Sequence, residues 1–143
     1  MATALASGEI EVPAGALYAR LADFGRVDWM RGVTKVELRG SGVGMQRLIY
    51  AGGDRAVVEV LESLDPAARR VGYTITANNP LPVADYHARC TAIDLGGGRC
   101  RLDWACTFTP AGADESEAIA RVEGMYRVLI SWVKDAVEAD ARS

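Results

Sequence analysis

At 143 residues the chain has room for one domain built on a single core, and no linker or internal repeat divides residues 1–143. A net charge of −3, with 16 Lys and Arg scattered without a stripe, excludes a surface organised for nucleic acid or anionic lipid. No apolar run approaches the ~18 residues of a membrane span, no Lys or Arg precedes Tyr18 to form a targeting peptide, and Cys90, Cys100 and Cys106 lack C-x-x-C spacing, so membrane insertion, a disulfide framework and a zinc site are not expected. The expectation is a cytoplasmic protein, monomer or homodimer, with neither metal nor cofactor.

Ser7 to Val12 alternates as a short strand ended by Pro13, where a helix is expected to begin, because the missing N–H has no partner in a first helical turn. Leu17, Tyr18, Leu21 and Ala22 fall at helical spacing. Phe24 to Met30 looks like a second short helical piece after the break at Asp23, Phe24 and Gly25. Beyond Gly32 the period changes. Val33–Leu38, Gly44–Tyr50, Ala56–Leu64, Arg70–Thr76, Val83–Leu95 and Arg99–Thr109 carry β-branched and aromatic residues, with turn signals between them, and predict an antiparallel meander. The cleanest alternation is the last: Cys100, Leu102, Trp104, Cys106 and Phe108 on one face, with charged and small residues on the other.

A long amphipathic helix is predicted over Asp114–Ala139, with Asp114 as N-cap and Glu115 and Glu117 favouring the positive end of its dipole. Its apolar stripe is Ile119, Val122, Met125, Tyr126, Leu129, Trp132, Val133, Ala136 and Val137. A flat sheet needs no such helix, whereas a curved antiparallel sheet of seven strands can wrap around it and leave a cavity. The fold class expected is therefore α+β, a helix-grip arrangement with two short helices after the first strand.

This order of elements resembles the START-like, or SRPBCC, superfamily of polyketide cyclase/dehydrase and lipid-transport proteins, which includes birch-pollen-allergen-type proteins and plant abscisic acid receptors. The segments that carry the resemblance are E-V-L-E-S-L-D-P-A-A-R-R-V-G-Y-T-I from Glu59, L-P-V-A-D-Y from Leu81 and W-A-C-T-F-T-P from Trp104, and they look like the bacterial cyclase-type branch. The resemblance implies an inward carboxylate at Glu59, cavity positions at Tyr73 and Tyr86, and an arginine of the family pattern at Arg47. Where the receptors carry a proline-bearing gate loop this chain has A-G-G-D-R-A, which speaks against hormone sensing.

Between Val58 and Val60, alternation leaves the direction of Glu59 open; only the resemblance turns it inward, and Arg47 is then its nearest candidate partner by strand order. Tyr73, Tyr86, Trp104 and Tyr126 each bring an apolar body and a polar tip, which suits a flat, partly oxygenated ligand as well as a plain core. Met125, Tyr126 and Leu129 sit midway along the helix where curvature leaves most room, while Trp29 and Met30, and Leu81 and Pro82, are candidate closures of the cavity mouths. If Tyr86 faces in, His87 faces out, and as the single histidine it builds no acid–base pair. Neither Cys90 nor Cys106 has a base placed by a readable motif, so no catalytic residue is assigned. The function expected is binding or transport of one small hydrophobic molecule, aromatic, polyketide-like or lipid-like. The alternative is a cyclase, aromatase or dehydratase in which Glu59 and Arg47 are the candidate catalytic groups of the same cavity.

Overall fold

The structure, a computed structural model, describes residues 1–143. Seven strands run β1 (Ala2–Ile10), β2 (Lys35–Arg39), β3 (Gln46–Tyr50), β4 (Val57–Asp65), β5 (Arg70–Ala77), β6 (Val83–Gly96) and β7 (Arg99–Pro110); α1 (Ala14–Ala22) follows β1 and α2 (Glu115–Arg142) closes the chain. All pairings are antiparallel, in the order β1-β7-β6-β5-β4-β3-β2, so the expected meander is present with the first strand added beside the last. The expected α+β helix-grip architecture is the one observed, with one short helix after β1.

β1 is longer than the alternation at Ser7–Val12 suggested. It starts at Ala2, and its inward residues Ala2, Ala4 and Ala6 are buried although alanine favours strands weakly. Their size is the point, because α2 packs directly over this strand. A Cβ on Gly8 would lie 2.7 Å from Ile130 Cγ2, so the helix approaches to a distance only glycine permits. The second helical piece expected at Phe24–Met30 is not a helix but two turns, closed by Arg26 N–H to Asp23 O and Met30 N–H to Val27 O. The Phe24 carbonyl, which a helix would need as an acceptor, instead accepts a hydrogen bond from Arg47 Nη1 at 2.8 Å.

Pro13 occupies the N-cap of α1 rather than its first turn, and Asp114 caps α2 as expected, accepting from Glu117 N–H at 2.8 Å. The buried stripe of α2 is Ala118, Val122, Tyr126, Ile130, Val133 and Val137. The helix is thus rotated from its expected face: Ala118 and Ile130 go in, while Met125, Leu129 and Trp132 stay half-buried on the flank.

Irregularities in the ladder bend the sheet. The pairing shifts between Ala84 and His87 so that Asp85 and Tyr86 together face one residue of β7, between Val58 and Glu59 where Thr76 is the extra residue on β5, and between Leu61 and Ser63 where Glu62 is the extra residue on β4. Each bulge sharpens the local twist. Asp85 takes φ +49°, a left-handed conformation that aspartate tolerates better than most side chains. These bulges lie where β4, β5 and β6 curl away from α2, beside a second body of the interior that is lined but not filled.

Candidate functional site

That unfilled region is a chamber of about 140 Å³ bounded by β3, β4, β5, β6, β7, α2 and the loop before β6. Its buried floor is Arg47, Ile49, Glu59, Tyr73, Tyr86, Trp104 and Tyr126. Its rim is the half-buried Met30, Leu81, Met125 and Leu129, with Pro80 exposed beside them. Strand alternation places the floor: Arg47 and Glu59 face each other directly across β3 and β4, Glu59 is opposite Ile75, and Leu61 is opposite Tyr73.

The charged pair is almost entirely inside. Arg47 Nε donates to Glu59 Oε1 at 2.7 Å, with the two side chains only 6% and 10% exposed. The guanidinium carbon also lies 3.8 Å from the Phe24 ring centroid and 5.7 Å from that of Tyr73, so a cation that has left water is compensated by a carboxylate, a carbonyl and two π faces. Neither Glu59 Oε2 nor Arg47 Nη2 has a protein partner, and neither is sealed away.

Opposite the pair stands an aromatic wall. Trp104 stacks on Tyr126 at 5.6 Å between centroids and meets Tyr73 edge-on at 6.5 Å, while Tyr73 meets Tyr86 edge-on at 6.3 Å. Each polar tip has a partner within the wall: Trp104 Nε1–H donates to Tyr73 Oη at 3.1 Å, and the Tyr86 and Tyr126 hydroxyls hydrogen-bond to each other. Burial pushes all three tyrosines well above the ordinary phenol range, reinforced at Tyr73 by the neighbouring Tyr86 and Glu59. They are therefore held as neutral phenols that can donate hydrogen bonds. Burial likewise drives the Cys90 thiol upward, so it carries no thiolate near neutral pH.

Of the residues singled out in the sequence, Arg47, Glu59, Tyr73, Tyr86, Trp104, Met125, Tyr126, Leu129, Met30 and Leu81 come together around this chamber. Trp29 and Pro82 do not line it. Trp29 is buried behind Trp104, edge-on at 6.1 Å, and Pro82 turns toward the loop before α2, where its carbonyl accepts from Ala111 N–H. His87 lies outside, with Nδ1 2.8 Å from Glu62. Sequence reasoning missed Ile49, Val57, Ile75, Asn79 and Pro80. The first three were within reach, since each stands two residues along its strand from Arg47, Glu59 or Tyr73 and so shares that residue's face.

No group of three His, Cys, Asp or Glu side chains is placed to hold a metal ion, and no helix is long and apolar enough to cross a membrane. A broader depression of about 440 Å³ lies between α1 and the end of α2, but it is bordered by Arg20, which bridges Asp28 and Asp140, and by Arg26. Those ion pairs tie the turn segment to the helix end and leave no apolar enclosure.

A curved sheet gripping a long helix over a partly apolar chamber defines the helix-grip class of the START-like, or SRPBCC, superfamily. Residues 1–139 match the family described as polyketide cyclase / dehydrase and lipid transport, and the chain belongs to that family. No curated protein matches it. Among solved structures it is similar to an uncharacterised protein from Bacillus thuringiensis, with TM-score 0.82 and 24% identity over 95% of this chain and 98% of that one. It is also similar to a norcoclaurine synthase point mutant of Thalictrum flavum in complex with a transition-state analogue, with TM-score 0.75 and 16% identity over 99% and 96%. A third similar structure is the ZhuI aromatase/cyclase of Streptomyces sp. R1128, with TM-score 0.69 and 21% identity over 98% and 93%. At these identities the likenesses establish the shared fold.

Proposed function

We propose that the protein binds and carries one small hydrophobic molecule in the chamber between sheet and α2. The observation that supports this reading most directly is that the void lies on the apolar flank of α2 and is floored by aromatic side chains whose own polar tips are already hydrogen-bonded. Such walls attract a guest through apolar burial, worth about 25 cal/mol per Å², and the Arg47–Glu59 pair fixes its orientation. Native mass spectrometry of the purified protein tests it: a co-purified small molecule is expected on the natural chain and not on Leu129→Trp, whose indole fills the void. Bare chain in both, together with no binding of toluene in a calorimetric titration, overturns the reading.

A second reading has its own support. Glu59 offers a carboxylate and the tyrosines offer donors within one cavity, the equipment for moving a proton along a folded poly-keto chain, and aromatase/cyclases share the fold. The volume weighs against it, because about 140 Å³ is room for one ring rather than for a long chain. Glu59→Gln separates the two: a carrier keeps its affinity within about tenfold, whereas a proton-transfer enzyme loses about a hundredfold or more in rate.

A further inference from the structure

We propose that the guest is a single aromatic ring bearing a hydroxyl, a phenol, held with its oxygen between Glu59 and Arg47. This rests on the carrier reading above and adds the chemistry of what is carried.

Size sets the first limit. About 140 Å³ corresponds to four or five waters at ~30 Å³ each, and apolar cavities of ~150 Å³ accept benzene. A fused two-ring system or an acyl chain would have to displace the rim or project from the open mouth. Shape agrees, since the Trp104–Tyr126 stack and the edges of Tyr73 and Tyr86 favour a flat guest.

Unmatched hydrogen-bonding capacity sets the second limit. The tyrosine and tryptophan tips each have a partner in the wall and keep only spare O–H donors, so they ask no donor of a ligand. The charged pair does ask something. Arg47 spends Nε on Glu59 and Nη1 on the Phe24 carbonyl, which leaves Nη2 as a donor without a protein acceptor; Glu59 spends Oε1, which leaves Oε2 as an acceptor without a protein donor. The two residues sit directly opposite each other on adjacent strands and both line the chamber. A hydroxyl is the smallest group that donates and accepts at once, so one oxygen answers both. An ether or ketone accepts only and leaves Glu59 Oε2 facing another lone pair. A ligand carboxylate would compete with Glu59 for Arg47 and set two like charges together in a desolvated space. A bare hydrocarbon would fill the volume but strand both groups, which is the costly outcome for buried polar atoms.

Calorimetric titration of the natural protein with phenol, anisole, toluene and benzoate tests this directly. Phenol is expected to bind about tenfold or more tightly than each of the others, even though anisole and toluene lose less on leaving water. In the double variant Arg47→Met/Glu59→Leu, which removes both polar groups without orphaning a charge, the advantage of phenol over toluene is expected to fall to about twofold or less while toluene still binds. Should that variant fail to fold, the four-ligand series on the natural protein decides alone. Phenol and anisole binding equally, benzoate binding most tightly, or the variant keeping the preference for phenol would each overturn the proposal. If no single-ring compound binds but native mass spectrometry shows a co-purified small molecule, the phenol proposal falls and the carrier reading stands; if the purified chain is bare as well, both fall.

Discussion

The interior has two halves made by opposite means. Beneath β1 and β7 the helix α2 rests on Ala2, Ala4, Ala6 and Gly8, close enough that Ile130 occupies the place a Gly8 side chain would take, and fully buried Leu102, Phe108, Val122 and Val133 complete a dry core. Beneath β3, β4 and β5 the sheet is bent away by bulges, the side chains are large and polar-tipped, and about 140 Å³ stays unfilled. Small residues give contact, and large ones at a curve give a chamber. Close packing therefore lies in the first half, and the room for the proposed guest in the second.

The comparison breaks most severely if the buried charge is orphaned. Arg47→Met leaves Glu59 inside without a cation and is expected to cost about 3–5 kcal/mol in urea unfolding, whereas Arg47→Met/Glu59→Leu is expected to be near neutral or stabilising. A double variant as unstable as the single one would show that the pair is there to hold the fold rather than to meet a guest. Next in size, Leu102→Ala in the dry half is expected to cost about 2–5 kcal/mol, while Leu129→Ala, which enlarges an existing void, is expected to cost less than about 1.5 kcal/mol. Equal losses would erase the distinction between the halves.

Alkali probes the chamber side selectively. Tyr73, Tyr86 and Tyr126 have folded-state pKa values raised above those of the unfolded chain, so their contribution is fully present below about pH 10. It is lost as pH rises further, because the unfolded chain ionises there and the folded one does not. The slope reaches about 1.4 kcal/mol per pH unit per tyrosine, to be read as a urea midpoint that falls from about pH 10 upward. In the packed half, Gly8→Val forces Ile130 aside and is expected to lower stability by about 1–3 kcal/mol without changing ligand affinity.

The packed half and the chambered half were also unequally legible. The alternation of β7 and the cap at Asp114 followed from period and charge, as did most of the meander, because each is a local consequence of its own residues. β1 hid its first residues, since alanines chosen for closeness to a helix carry little strand signal. The turns at Phe24–Met30 passed for a helix because the group that diverts the Phe24 carbonyl is Arg47, on a distant strand. Ile130 was left off the buried stripe for the same reason: the rotation of α2 is set by its seat on Gly8. In the chamber, the inward turn of Glu59 came from family resemblance. Bulges reset the count of faces along β4 and β6, and no local pattern announces them.

α2 has one more duty, at the sheet margin. Glu123 accepts from Leu5 N–H and Glu138 from Glu11 N–H, while Lys134 Nζ reaches Glu9 O and, by its own hydrogen bond, holds Glu138 below the usual carboxylate range. The helix thus hems the outer selvedge of β1, where bare amides would invite a stray strand. A roof that is also a hem is a poor door: raising it would unstitch the margin each time something passed. For the proposed guest the easier way in is then the rim at Met30 and Asn79–Leu81, where Met30 N–H and Leu81 N–H bond only within their own turns.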